Sequence, residues 1–147
     1  MTLKQTIELV ERVASTQPSI NMIVGNDVFK LNAIPDARYG VFAWTQGNHT
    51  ASVEGNTHRF AFTFFYVDRL TEDKSNMVEI QSTGIETLNN ILLSLDEMGV
   101  FVNDYTFTTF NERFTDECAG VFVNVALDVP IASECGEDFP TREIDVR

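Results

Sequence analysis

The sequence predicts an α+β domain. An antiparallel sheet of about four to five strands is packed by an N-terminal helix and a long central helix, followed by an irregular C-terminal extension. Two stretches place apolar residues at three- and four-residue spacing, and each is followed by stretches rich in aromatic and β-branched residues that alternate with period two. The resulting order is helix, hairpin, helix, hairpin. Size agrees with this reading: 147 residues make one domain, and a composition of 44% hydrophobic and 22% charged residues supplies a core and excludes wholesale disorder.

The first helix opens on Thr2 and Gln5, a capping-box pair in which hydroxyl and amide each satisfy an orphan backbone N–H. Leu3, Ile7, Val10 and Ala14 form its apolar stripe, widened by Leu9 and Val13, and Pro18 requires it to stop by Gln17. Residues 19–38 carry no clear period. Ile20, Met22 and Val24 alternate like a short strand, Gly25-Asn26-Asp27 reads as a turn, and Val28 to Asn32 fits a helical turn or a strand. Gly40 to Gln46 is a strand by residue type, and the polar stretch Gly47 to Asn56 is a hairpin-like loop. His58 to Leu70 is a long strand with Phe60, Phe62, Phe64 and Tyr66 on one face, and Phe65 with Val67 makes part of the other face apolar.

The central helix is read from Met77, Ile80, Gly84, Leu88, Ile91, Leu95 and Met98, with Ile85 and Leu92 thickening the buried stripe. Asp73 or Ser75 is the expected cap, Gly99 the expected left-handed residue past its end, and Gly84 a point of close approach to the sheet. Tyr105 to Phe114 and Cys118 to Val129 are the closing strands, the second lined by Val121, Val123, Val125, Leu127 and Val129. The domain therefore covers residues 1–130. Residues 131–147 form an acidic extension anchored only by Phe139 and Ile144, read as a free tail or as an arm that orders on a partner.

Ten Lys and Arg against 22 Asp and Glu give a net charge of −12, the wrong sign for a free-standing nucleic-acid binder or for docking on anionic membranes. No apolar run is long enough to span a bilayer, and Met-Thr-Leu-Lys-Gln is not a signal peptide, so the expectation is a soluble chain made in a reducing cytosol with Cys118 and Cys135 as free thiols. His49 and His58 have no acid or cysteine at metal-ligand spacing, so no metal ligand, cofactor-binding residue or catalytic residue is assigned. Asn48-His49-Thr50 matches a glycosylation acceptor only formally. The acid pairs Glu72-Asp73, Asp96-Glu97, Asp116-Glu117 and Glu137-Asp138 fall where carboxylates are easily solvated. No GxGxxG, P-loop, GxSxG or HExxH pattern occurs, and the expectation is a protein that is not an enzyme.

Phe65-Tyr66-Val67-Asp68-Arg69-Leu70 with Asp73, Asn76 and Ile80-Gln81-Ser82, Phe110-Asn111-Glu112-Arg113-Phe114-Thr115-Asp116-Glu117-Cys118-Ala119-Gly120-Val121-Phe122, and Tyr39-Gly40-Val41-Phe42 carry a resemblance. Together they resemble a small head–tail connector protein of tailed bacteriophages, particularly crAss-like phages, a group similar in layout to tail-terminator and tail-completion proteins. The likeness spans about residues 2–130. It implies a structural subunit of the virion neck, made in the host cytoplasm. Such a subunit assembles with itself into a ring of six or twelve, the crAss-like likeness pointing to twelve. Its partners would be the portal and the adjacent neck and tail rings, and DNA would pass through without specific binding.

In such a ring an edge strand or the loop at 47–56, with Asn48, His49 and Glu54, is expected to reach the next subunit, and Phe139 and Ile144 to meet a neighbouring ring. Asp68-Arg69 and Glu112-Arg113 are candidate ion pairs between subunits or within one chain. Residues 68–104 hold eight acids and only two cations; Glu79 and Glu86 on the long helix are expected to line the channel, the other possibility being an acidic outer wall. The competing functional reading is an acidic cytosolic adaptor or inhibitor that binds one basic protein.

Overall fold

A computed structural model describes residues 1–111, 117–131 and 142–147. Among these residues two α-helices, α1 (Leu3–Ser15) and α2 (Met77–Glu97), lie on one face of a single sheet. Its strands are β1 (Met22–Gly25), β2 (Val41–Gln46), β3 (Thr50–Ser52), β4 (Thr57–Arg69), β5 (Phe101–Val102), β6 (Phe107–Asn111), β7 (Cys118–Pro130) and β8 (Asp145–Val146). The sheet is eight-stranded and mixed, with the path β5-β7-β4-β2-β1-β8, β3 alongside β4 and β6 alongside β7. An antiparallel sheet of four to five strands in two hairpins is therefore the wrong architecture. The overturning feature is β1, which pairs in parallel with both β2 and β8. Parallel neighbours need a crossover rather than a tight turn. Residues 26–40 supply it, crossing with a 3-10 helix (Val28–Ala33) capped by the Asp27 carboxylate.

The chain after β7 is also not simply irregular. Residues 145–146 add to the border of the chain's own sheet, where Arg147 N–H donates to the Ile23 carbonyl at 3.0 Å and Gly25 N–H to the Arg147 carbonyl at 3.2 Å. Arg142 fastens the approach by donating to the Ser15 carbonyl at the end of α1 and to the Gln17 carbonyl just beyond it.

The spine is the pair β4–β7, hydrogen-bonded over its whole length from Thr57 opposite Pro130 to Arg69 opposite Cys118. Phe60, Phe62, Phe64 and Tyr66 share the helix-side face with Val121, Val123, Val125, Leu127 and Val129, and pack against Leu9, Val10 and Val13 of α1 and Ile80, Leu88, Ile91 and Leu95 of α2. Each fully buried side chain of this kind contributes roughly 1.5–3 kcal/mol relative to exposure. A smaller cluster on the opposite face joins Met22, Val24, Val41, Ala43 and Val67 to Val28 and Leu31 of the 3-10 helix. This covers only part of that face.

α1 begins with the capping box the sequence predicts: Gln5 N–H donates to Thr2 Oγ1 and Thr2 N–H to Gln5 Oε1. α2 begins differently. Neither Asp73 nor Ser75 caps it. Asp73 accepts from Ser75 N–H and the Thr71 hydroxyl within the preceding turn, while Asn76, at the N-cap position, turns back to bond Thr71 N–H and the Arg69 carbonyl. Gly99 ends the helix at φ +84°, the left-handed geometry that glycine adopts without steric cost.

Tyr66 is surrounded by three glycines. A methyl group at Gly84 of α2 would sit 2.9 Å from its ring and 3.0 Å from Val121, one at Gly40 would sit 2.7 Å from its hydroxyl, and one at Gly120 of β7 would overlap its carbonyl oxygen. We expect Gly84→Ala to lose more by overpacking, typically ~1–3 kcal/mol, than the ~1 kcal/mol that alanine gains in helix propensity. Gly120→Ala, whose methyl meets the Tyr66 backbone carbonyl as well as the Phe110 ring, should cost more. Urea unfolding of both variants checks the order, and a Gly84→Ala protein as stable as the parent would show that the helix has room to withdraw.

Candidate functional site

The residues predicted for subunit contact fall at two ends of the sheet. Asn48, His49 and Glu54 lie on the segment joining β2 to β4, which is a strand and turn rather than a plain loop: β3 pairs with the start of β4, and Val53 to Asn56 close a turn through Asn56 N–H and the Val53 carbonyl. Thr50 to Asn56 are all exposed, Val53 at 93%. Asn48 and Glu54 are exposed as well.

His49 is held within its own chain. Its Nδ1 accepts Ala61 N–H at 3.1 Å, so the ring proton lies on Nε2, which donates to Gln46 Oε1 at 3.0 Å. Its ring meets Phe60 edge-on at 5.4 Å and Phe62 at 5.8 Å. Here the imidazole fastens the base of the hairpin, leaving the tip as the part that reaches outward. Ile144 stands at the other end of the strands, next to β8, half-buried against the helix-side core of its own chain. Phe139 lies outside the described residues, as do Glu112-Arg113 and Cys135.

Cross-strand register assembles further groups on the sheet face away from the helices. Arg59 and Asp128 form a two-pronged ion pair at 2.7 and 3.0 Å, and the Thr63 hydroxyl donates to Asn124 at 2.7 Å. The rings of Phe65 and Phe122 lie 5.8 Å apart, both half-buried. The Arg59 guanidinium holds the Asp128 carboxyl below its ordinary value. No sequence motif marks these pairs, because their partners are set by a register between residues about 60 to 70 positions apart.

The sheet has two different unpaired borders among the described residues. One is formed by β5 and β6, with Thr108 and Thr109 of β6 exposed; the other is formed by β3 and β8. Strand borders expose backbone donors and acceptors that pair readily with another strand.

Glu79 and Glu86 are both exposed on the outward side of α2. Cys118 is a buried thiol. Among the described residues, no three or more His, Cys, Asp or Glu side chains are grouped to hold a metal ion, and no helix is long and apolar enough to cross a membrane. The polar hollow beside β8, lined by Asn21, Arg38, Tyr39, Arg142, Glu143 and Asp145, mixes both signs of charge. Its Arg142 is already engaged by the Ser15 and Gln17 carbonyls.

Asp68 binds within its chain, not to the Arg69 guanidinium: its carboxylate accepts Arg69 N–H at 2.8 Å and the Tyr66 hydroxyl at 3.4 Å. Burial pushes the Asp68 carboxyl up, against the downward pull of those two donors, and burial likewise raises the Tyr66 phenol. An acid with a higher pKa folded than unfolded holds more protons in the native state, so its contribution to stability falls as pH rises between the two values. Asp68→Asn removes that titration. Its melting temperature should gain on the parent's as pH is raised from about 4 to about 7; a gap constant across that range would show that Asp68 titrates alike folded and unfolded. No family model matches this chain, and no curated protein matches it.

Proposed function

We propose that this chain is a non-enzymatic structural subunit of a tailed-phage neck, forming a ring between portal and tail through which DNA passes. The observation that carries the reading is the pair of dissimilar sheet borders, β6 on one side and β3 with its exposed hairpin tip on the other. Two different surfaces on opposite sides of one subunit suit a head-to-tail contact, and a head-to-tail contact whose rotation closes makes a ring. The resemblance of the Phe65 and Phe110 segments to connector proteins supports the same reading, and its crAss-like character favours twelve copies over six. The net charge of −12 suits a conduit that gives phosphates no cations to exchange for their counterions.

Val53 is the apolar residue at the hairpin tip, and Glu54 beside it is the only charged residue from Gly47 to Asn56. Light scattering after size exclusion, on the chain alone and with its portal protein, should show a ring. Val53→Asp should leave monomer stability within about 0.5 kcal/mol, as exposed substitutions generally do, and weaken assembly. A protein that stays monomeric with and without portal would overturn the ring and return the acidic adaptor as the better reading. Rings unaffected by Val53→Asp would move the contact away from the hairpin tip.

A further inference from the structure

We propose that the outer face of α2 is a docking surface for a cationic amphipathic helix of a second protein. Three large apolar side chains project from that face: Val78 is 69% exposed, Ile85 38% and Leu93 52%. They follow one another by seven and eight residues, which at about 100° per residue confines them to a sector roughly 80° wide. Exposed Ser82 and half-buried Asn89 fall between them in the same sector, while Ile80, Gly84, Leu88, Ile91 and Leu95 point into the core. The sequence reading places Ile85 with the buried stripe; in the fold it belongs to this second, outward one. From Val78 to Leu93 the seam runs about 22 Å at 1.5 Å per residue, the span of a four-turn partner helix.

Charge chooses the occupant. Glu79, Glu86 and Glu97 flank the seam along one side, and Asp96 closes it at the C-terminal end. The 21 residues of α2 contain no Lys, Arg or His. Asp96 and Glu97 sit where the helix macrodipole is negative, so the helix carries an unfavourable charge arrangement that a cationic neighbour would relieve. A second copy of this helix would bring the same acids and be repelled. A helix with leucine-like residues on one side and Lys or Arg beside them answers both the apolar seam and its acidic margin. On this assignment Glu79 and Glu86 border a protein contact, because residues lining a water-filled bore would leave Val78 and Ile85 facing water. The inference is independent of the ring reading.

The test uses the full chain and a fluorescent synthetic helix with Leu on one face and Lys on both margins, beside a counterpart carrying Glu for Lys. Anisotropy should show saturable binding of the Lys peptide and none of the Glu peptide. Ile85→Gln with Leu93→Gln should weaken binding by about tenfold or more at an unchanged melting temperature. Glu79→Gln with Glu86→Gln should weaken it and flatten its dependence on salt. If the double apolar variant fails to fold, Val78→Gln, at the most exposed position, gives the same comparison. Absence of saturable binding would overturn the proposal. So would binding undiminished by the Gln variants, which would mark diffuse charge attraction, and so would self-association of the parent abolished by those variants, which would assign the face to a second copy.

Discussion

One residue sets how closely helix, crossover and strand approach one another. Tyr66 lies in the longest strand pair, its ring under α2, its hydroxyl at the chain entering β2, and its carbonyl in the ladder to β7. Each approach is closed by a glycine: Gly84, Gly40 and Gly120. Helix, crossover and neighbouring strand therefore converge on one residue, at its ring, its hydroxyl and its carbonyl, at distances that leave no room for a Cβ. The helix-propensity cost of Gly84 is offset by the depth at which Ile80, Leu88 and Ile91 reach the sheet.

Periodicity made part of this legible from the amino acids alone. The capping box at Thr2 and Gln5, the extent of α2, the left-handed Gly99, the two faces of β4 and the valine-lined face of β7 are all local patterns. The sheet's true topology is not local. β5 and β8 are two residues long and β3 three, too short for any alternation, and a parallel partner for β1 is chosen by the crossover at 26–40, not by the strand itself. Ile85 shows a subtler limit: on a helix with a broad apolar band, spacing does not reveal where the band turns from core to surface.

The candidate contact groups follow the same rule. His49 was visible as a residue but not as a fastener, since its Ala61 and Phe60 partners come from the returning strand. Arg59 and Asp128, or Thr63 and Asn124, meet only because β4 and β7 run in one register. The surfaces they help define differ in character. The face away from the helices is polar toward Arg59 and aromatic toward Phe65, the hairpin border is nearly uncharged, and α2 is acidic around an apolar line.

The β4–β7 ladder also shapes how the chain reaches this state. It joins residues from 49 positions apart, Arg69 with Cys118, to 73 apart, Thr57 with Pro130. Contacts of such separation must meet the entropy of loop closure before they return any stabilisation, which places a sheet of this kind among slow folders. α2 lies inside that loop and forms from local bonds, shortening the search. During synthesis, β4 emerges well ahead of β7, with Phe60, Phe62 and Phe64 on a strand that lacks its main partner. The aromatic strand that later secures the core is thus, for an interval, the segment most exposed to aggregation, and the ribosome must deliver residues 118–130 before it is safe.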